Sequence, residues 1–313
     1  RKTGIHVESC ACITKGLAGK ELTDMKALRE AGAAGFTDDG IPILDEALVK
    51  AAMEQAKELD VPLSFHEEDP AYIENNGINH GKASAYYQIG GSDRMAEISL
   101  VRRDLELALS TGAAFDVQHI SAKESVALVR EAKKRAKEMG MDNIHAEATP
   151  HHFSLTEEAA IQYGTLAKMN PPLREEADRM AVIEGLADGT IDLIATDHAP
   201  HSAEEKAKPL TEAPSGIIGL ETAFSLAITN LVRPGYLDLP TLFERMSLAP
   251  AKLYHLPAGQ IKEDMPADLI VFDDAAEVVY EKFASKSSNS PFTGQKLYGR
   301  IEMTICEGKE IQK

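Results

Sequence analysis

Short apolar runs alternate along the chain with longer segments in which apolar residues recur at helical spacing. This alternation predicts β-α units around a parallel sheet, because a buried parallel strand is a continuous apolar run and its crossover is a helix. The predicted strands are residues 4–14, 33–37, 61–65, 114–118, 143–148 and 191–196. The predicted helices are residues 22–31, 44–59, 98–109, 124–139, 175–186 and 220–231, and residues 69–93 are predicted to form a long loop.

The pattern changes near residue 259, where short strands at 267–273 and 301–311 predict a small β appendage. The six preceding strands indicate a TIM-like (β/α)8 barrel, which in complete form has eight. We therefore expect the first two barrel strands to be absent from this chain, which opens on Arg1 and enters an apolar run almost at once. The predicted division is a barrel over residues 1–256 and the C-terminal half of a small β-sandwich over residues 257–313.

The composition, 43% hydrophobic and 27% charged, is that of a globular protein with a large core. A formal charge of −17 argues against nucleic acid or an anionic membrane surface as a partner. No apolar stretch reaches the roughly 18 residues of a membrane span. Three cysteines form no disulfide framework, which favours the cytoplasm, and Cys10 and Cys12 are predicted to be buried packing residues.

Four potential metal ligands each follow an apolar strand. They are Asp39, His66, His119 and Asp197. Barrel enzymes build their active sites at the carboxyl ends of the strands, and imidazole with carboxylate suits zinc or a related divalent ion. One such histidine alone is more often a hydrogen-bonded structural residue, and Asp197 alone could cap a helix. Four such residues at the ends of four different strands together predict a metal site.

The motifs around these residues resemble dihydroorotase of the amidohydrolase superfamily, in its longer bacterial type. The matching segments are FTDDG at 36–40, SFHEE at 64–68, VQHIS at 117–121, EATPHHFSLT at 147–156, KMNPPLR at 168–174, ATDHAPH at 195–201, APSGIIGLETA at 213–223 and SNSPFTGQKLYG at 288–299. They cover the chain in order. The resemblance implies a barrel of the metal-dependent hydrolase type.

The resemblance also implies roles for the four strand-end residues. Asp39 corresponds to the carboxylate that bridges two Zn²⁺ ions, and His66 and His119 to the histidines that hold the second ion. Asp197 corresponds to the residue that contacts the first ion and shuttles the proton. Hydantoinases, dihydropyrimidinases and allantoinases use a carbamylated lysine as the bridge, so Asp39 favours dihydroorotase among these relatives.

Four further residues correspond to positions that contact the substrate. Asn170 and His201 match residues at its ring and carboxylate, and Ser215 and Gly216 match a backbone segment beside it. Ser215 departs from the family, which often has phenylalanine there. The histidines at 152 and 198 are interpreted as supporting or structural residues.

The activity implied is the reversible cyclisation of N-carbamoyl-L-aspartate to L-dihydroorotate in pyrimidine synthesis, by metal-bridged hydroxide with Asp197 as proton shuttle. A homodimer is expected. The family's His-x-His-x-Arg element, which holds the first ion and the substrate carboxylate, does not occur in the sequence. We therefore expect this chain alone to be inactive. Two alternatives stay open: a non-catalytic scaffold for aspartate transcarbamoylase, and another cyclic amidohydrolase such as allantoinase or hydantoinase.

Overall fold

Six strands form a parallel sheet whose spatial order follows the order of the chain. The computed structural model describes residues 3–311. The strands are β1 (Cys10–Ala11), β2 (Gly35–Phe36), β3 (Leu63–Phe65), β4 (Phe115–Val117), β5 (Ile144–Ala148) and β6 (Leu193–Ile194). Each pairs in parallel with the next, which is how a barrel winds, whereas a doubly wound sheet reverses its order at a switch point. All six predicted strands are confirmed.

Within residues 3–311 the sheet ends at β1 and β6, which each have a single neighbouring strand. This position explains a wrong prediction about the cysteines. Cys10 is exposed and Cys12 is half-buried, whereas Cys306 is buried. Cys10 lies in an edge strand, so no further strand covers its side chain.

Helices connect the strands and cover the sheet. They are α1 (Met25–Glu30), α2 (Glu46–Glu58), α3 (Lys82–Tyr87), α4 (Met95–Thr111), α5 (Lys123–Glu138), α6 (Pro150–Ser154), α7 (Glu158–Tyr163), α8 (Glu176–Asp188), α9 (Ala203–Lys206), α10 (Ala223–Ala227), α11 (Leu239–Phe243) and α12 (Ala249–Leu253). Helix α2 shows the local causes: Asp45 caps it by accepting hydrogen bonds from the amides of residues 47 and 48, and Val49, Ala52, Met53 and Ala56 form its buried face. Helices α10 and α11 each continue into a π-helical turn, at Ile228–Val232 and Glu244–Leu248.

Two connections are more ordered than their polar sequences predict. Residues 69–93, predicted as a loop, contain α3, whose Ala83 packs in a small apolar cluster with Ile78 and Ala160. The loop at 202–214 contains α9, which is closed by a capping box. Ser202 Oγ accepts from the amide of Glu205 at 3.2 Å, and Glu205 Oε2 accepts from the amide of Ser202 at 2.8 Å.

Fully buried aromatic and aliphatic side chains hold the strands rigid just before the residues that could carry chemistry. Phe36, Leu63 and Phe115 are completely buried. The rings of Phe65 and Phe115 meet edge to face with centroids 5.4 Å apart. Phe36 ends β2, Leu63 begins β3 and Phe115 begins β4, and each lies three or four residues before a candidate ligand. Core packing therefore fixes the positions of these three strands.

The C-terminal appendage is a three-stranded antiparallel sheet of β7 (Leu269–Val279), β8 (Lys296–Cys306) and β9 (Lys309–Glu310). The first predicted strand, 267–273, is thus longer than expected. The second begins earlier, at Lys296, and residues 301–311 form parts of two strands joined by a tight turn. Phe272 of β7 packs on Phe224 and Phe243 with ring centroids 5.3 Å apart in both pairs. The division at residue 256 and the larger β-sandwich remain predictions. None of the described helices is long and apolar enough to cross a membrane.

Candidate metal centre

Three potential ligands converge at the carboxyl ends of neighbouring strands. Asp39 follows β2, His66 follows β3 and His119 follows β4, and their ligand atoms all lie within 4.8 Å of one another. Nδ1 of His66 lies 3.0 Å from Nε2 of His119, with the two rings close to perpendicular at 82°. The backbone of His119 has a positive φ of 32°, a conformation that directs the chain out of the strand. Parallel strands end at one edge, so side chains distant in sequence meet there.

The surroundings shift the pKa values of the two histidines in opposite directions. Burial, reinforced by the nearby His66, lowers the pKa of His119 well below its usual value. Burial also opposes protonation of His66, but the carboxylates of Glu68, Asp39 and Asp197 outweigh it and raise the pKa of this ring. A neutral imidazole is the metal-binding form, so His119 is ready to act as a ligand.

Glu68 is buried beside His66. Its Oε2 lies 3.2 Å from Nε2 of His66, and its Oε1 accepts a hydrogen bond from Ser92 Oγ at 3.3 Å. The glutamate is only 2% exposed. The two ring nitrogens of His66 therefore have different neighbours, His119 on one side and a carboxylate on the other.

Asp197 follows β6, beside the three converging residues. Its backbone has a positive φ of 46°, and its Oδ2 lies 4.0 Å from Nε2 of the buried His151. Burial, together with the negative charge of Asp39, raises the pKa of Asp197 to about 6. This carboxyl can therefore hold or release a proton near neutral pH.

The two adjacent aspartates of the FTDDG segment have different surroundings. Asp38 is buried, and its Oδ1 accepts hydrogen bonds from the backbone amides of Ile13 at 2.8 Å and Thr14 at 3.0 Å. It also bonds the hydroxyl of Thr14. Asp38 thus ties β2 to the end of β1, whereas Asp39 is exposed and belongs to the candidate metal site.

The predicted substrate-contacting residues fall into two groups: Asn170 contacts a candidate metal ligand, and His201 contacts the segment that contains Ser215. Nδ2 of Asn170 lies 3.3 Å from Nε2 of His66. Nε2 of His201 donates a hydrogen bond to the carbonyl of Ser215 at 2.8 Å. Gly216 has a φ of 105°, and a Cβ there would lie 2.5 Å from the Cβ of Ala199, so this position requires glycine.

The two histidines predicted to have supporting roles both make local hydrogen bonds. His152 bonds Thr149 Oγ1 through Nδ1 at 2.8 Å and the carbonyl of Pro171 through Nε2 at 3.1 Å. His198 accepts from the amide of Gly219 at 3.0 Å. These contacts fit structural residues.

The donor set fits a divalent cation. Two imidazole nitrogens and a carboxylate are within reach of one ion, as zinc sites require. Within the described part of the chain, Nε2 of His151 and Oδ1 of Asn170 are buried without a hydrogen-bond partner. Buried polar atoms are rarely left unpaired, and these two lie around the same centre, which supports a ligand there.

Four further residues at or near the site have no role predicted from the sequence: Glu68, His151, Lys168 and Lys206. Glu68 and His151 lie inside the quoted motifs, next to assigned residues, and that proximity was the available signal. Lys168 also opens a quoted motif, KMNPPLR, whereas Lys206 lies outside the motifs, and lysine in a polar segment usually lies in solvent. Both are in fact only 5% exposed.

Comparisons with known proteins give a consistent result. A family model described as Dihydro-orotase-like matches residues 1–125. The dihydroorotase of Clostridioides difficile is 54% identical over 307 residues, which cover 98% of this chain and 72% of that protein. The dihydroorotase of Clostridium acetobutylicum is 52% identical over 309 residues, with the same two coverages.

Solved structures share the architecture. L-hydantoinase (dihydropyrimidinase) from Arthrobacter aurescens superposes with a TM-score of 0.83 over 98% of this chain and 70% of its own, at 23% identity. D-hydantoinase (dihydropyrimidinase) from Thermus sp. gives a TM-score of 0.77 over 96% of this chain and 68% of its own, at 22% identity. At such identities the likeness shows the fold alone, which is the α/β fold of these amidohydrolases.

Proposed function

Because the chain belongs to the dihydroorotase family, we propose that Asp39, His66, His119 and Asp197 supply its part of the metal-dependent site for the interconversion of N-carbamoyl-L-aspartate and L-dihydroorotate. The observation that carries this proposal is the convergence of Asp39, His66 and His119 within 4.8 Å at the ends of three neighbouring strands. Identity of 54% to a dihydroorotase supplies the substrate class.

The proposed metal is zinc, which His66 and His119 would hold, and Asp39 would be the carboxylate shared with a second ion. Divalent ions at such a site lower the pKa of water and polarise a carbonyl group. The neutral state of His119, which follows from its lowered pKa, leaves a nitrogen lone pair free for the ion. The exposed carboxylate of Asp39 is accessible from the open side of the site.

Asp197 is proposed to move the proton. In ring opening it takes a proton from the attacking water and delivers it to the leaving ring nitrogen, and in ring closure it does the reverse. A pKa of about 6 suits both steps, because neither protonation state is strongly disfavoured near neutral pH. Asn170, His201 and the backbone of Ser215 and Gly216 are proposed to orient the substrate.

The sequence carries Asp39, His66, His119 and Asp197 but no His-x-His-x-Arg element. We therefore propose that this chain binds zinc at the His66–His119 end of the site and gives negligible turnover by itself. The same absence is what favours the second candidate, a non-catalytic scaffold that binds aspartate transcarbamoylase. A homodimer is likewise proposed.

Complementation separates the two candidates. The chain would be assayed alone, and again after co-expression with the N-terminal region of the Clostridioides difficile dihydroorotase, which we expect to carry the missing element. Dihydroorotate should form from N-carbamoyl-L-aspartate in the combination only, and His119→Ala should abolish it. Allantoin and hydantoin serve as control substrates.

If the combination binds zinc but gives no turnover, the enzymatic function would be overturned in favour of the non-catalytic scaffold. Co-purification with aspartate transcarbamoylase would then test the scaffold function. Faster hydrolysis of allantoin or hydantoin than of dihydroorotate would overturn the proposed substrate. Normal activity of the uncombined chain would contradict the proposal that it needs a further element.

A further inference from the structure

Two buried lysines meet beneath the segment 210–216, which includes the proposed substrate-contacting residues Ser215 and Gly216. Nζ of Lys168 donates to the carbonyls of Leu210 at 2.8 Å and Ala213 at 2.7 Å. Nζ of Lys206 donates to the carbonyls of Pro214 at 2.8 Å and Gly216 at 2.9 Å. Lysine is almost never fully buried without a partner, so two such residues call for an explanation.

No carboxylate offsets either charge among the described residues. Burial lowers the pKa of Lys168, and burial with the nearby Lys168 lowers the pKa of Lys206 to about 8. Burying an ammonium group costs free energy unless hydrogen bonds replace its hydration. Here the backbone carbonyls of one short segment are the replacement, so the lysines and the segment hold each other in place.

Other donors bind the carbonyls of Ser215 and Gly216 in this segment. Ser215 O accepts from His201 Nε2 at 2.8 Å, and Gly216 O accepts a further bond from Asn289 Nδ2 at 3.1 Å. Every carbonyl from Ala213 to Gly216 therefore has a donor. None can rotate towards a bound carboxylate, which a carbonyl oxygen would repel.

The lysines are in turn fixed to the surrounding fold. The carbonyl of Lys168 accepts from the amide of Gly216 at 2.8 Å, and the carbonyl of Lys206 accepts from Thr165 Oγ1 at 2.5 Å. Lys168 lies two residues before Asn170, and Lys206 ends α9, five residues after His201. The pair thus links the segment to both elements that carry the other proposed substrate contacts.

We propose that Lys168 and Lys206 are positioning residues that hold the segment 210–216 in the conformation that accepts a carboxylate-bearing cyclic amide or its ring-opened dicarboxylate. The substrate named in this proposal rests on the proposed function. The positioning of the segment rests on the hydrogen bonds alone. Neither lysine contacts the candidate metal ligands, so zinc binding should not depend on this positioning role.

Hydrogen exchange of the zinc-loaded 313-residue chain tests the geometry. Lys206→Met and Lys168→Met keep most of the side-chain length, and each removes the two hydrogen bonds that its Nζ donates. Each should make the amides of Ala213 and Gly216 exchange roughly tenfold or more faster, while peptides from β4 and α5 stay unchanged. Lys208→Met, at an exposed lysine of the same loop, is the matched control, and Lys206→Arg should restore most of the protection.

Calorimetric titration with L-dihydroorotate tests the link to substrate, on the chain combined with the N-terminal region of the Clostridioides difficile dihydroorotase. Lys206→Met should weaken binding about tenfold with zinc content unchanged, and Lys206→Arg should recover most of it. Wild-type exchange at residues 213 and 216 in both Met variants would overturn the proposal, as would faster exchange spread evenly over the chain. Failure of the wild-type combination to bind dihydroorotate would instead overturn the proposed function, and hydrogen exchange of the chain alone would still decide whether the lysines hold the segment.

Discussion

Nε2 of His66 lies 3.2 Å from Oε2 of Glu68, whereas Nδ1 of the same ring lies 3.0 Å from Nε2 of His119. The carboxylate is the natural acceptor for a proton on Nε2, which would leave the lone pair of Nδ1 free for a metal ion held with Nε2 of His119. Histidine ligands commonly have such a carboxylate partner, which fixes the tautomer and the ring orientation.

Removing this partner should weaken metal binding without removing a ligand. We expect Glu68→Gln to lower zinc affinity about 10- to 100-fold, because an amide does not enforce the same tautomer. Equilibrium competition with a chromophoric chelator measures the effect. Glu58→Gln, at an exposed position at the end of α2, is the control. Equal zinc affinity in both variants would show that Glu68 has no part in orienting His66.

Loss of a ligand should remove the stabilisation that zinc gives. A ligand at about 100 times its Kd stabilises the folded state by about 2.7 kcal/mol, so excess zinc should raise the Tm of the wild-type chain. His66→Ala, His119→Ala and Asp39→Asn should lose most of this rise. His255→Ala, at a side chain that is half exposed and outside the site, should keep it in full. Differential scanning calorimetry with and without zinc measures both. An unchanged zinc effect in His119→Ala would place the ion elsewhere.

Asp116 should make stability depend on pH. It is fully buried, and burial raises its pKa to about 6 against the opposing hydrogen bond from Ser64. The folded state therefore holds the proton more tightly than the unfolded state, so this stability is present below pH ~4 and is lost as pH rises through about 6.

The corresponding variant is Asp116→Asn, which retains an oxygen for Ser64. At pH 8 its free energy of unfolding should exceed that of the wild type by about 3 kcal/mol, and below pH ~4 the difference should vanish. Urea denaturation across this range gives the curve. Asp142→Asn, at an exposed position, should track the wild type throughout. If Asp116→Asn were less stable than the wild type at pH 8, the buried carboxylate would be stabilising the fold in its charged form, contrary to this prediction.

Gly77 is packed against the lysine-held segment. A Cβ at this position would collide with Ser215 Oγ and lie 2.9 Å from Cγ of Lys168. Gly140 has nearly the same backbone conformation, with φ of 74° against 77°, but its Cβ would meet nothing within 4 Å. Comparing Gly77→Ala with Gly140→Ala therefore separates crowding from backbone strain.

We expect Gly77→Ala to lower the free energy of unfolding by about 1–3 kcal/mol more than Gly140→Ala, which carries the strain alone. Faster hydrogen exchange near residue 216 should accompany it. Equal losses in the two variants would mean that the segment tolerates displacement at Ser215.

The local sequence was sufficient where a single stretch of chain held the whole signal. The six strands were predictable because each is an apolar run between polar segments, and helix α2 because Asp45 and its apolar spacing lie within one segment. Helix α3 within the predicted loop 69–93 was missed because the apolar contact of its Ala83 is with Ala160, far along the chain.

By itself, the sequence determined the α/β alternation, the strand-end ligands and, through its motifs, the family. Tertiary structure decided what depends on contacts between distant segments. It separated Asp38, bound to the amides of β1's end, from Asp39 at the centre, and it joined Lys168 to a carbonyl 42 residues away. The physical reason is the same in both cases: the cost of burying a charge is set by partners that only the folded chain brings within hydrogen-bonding distance.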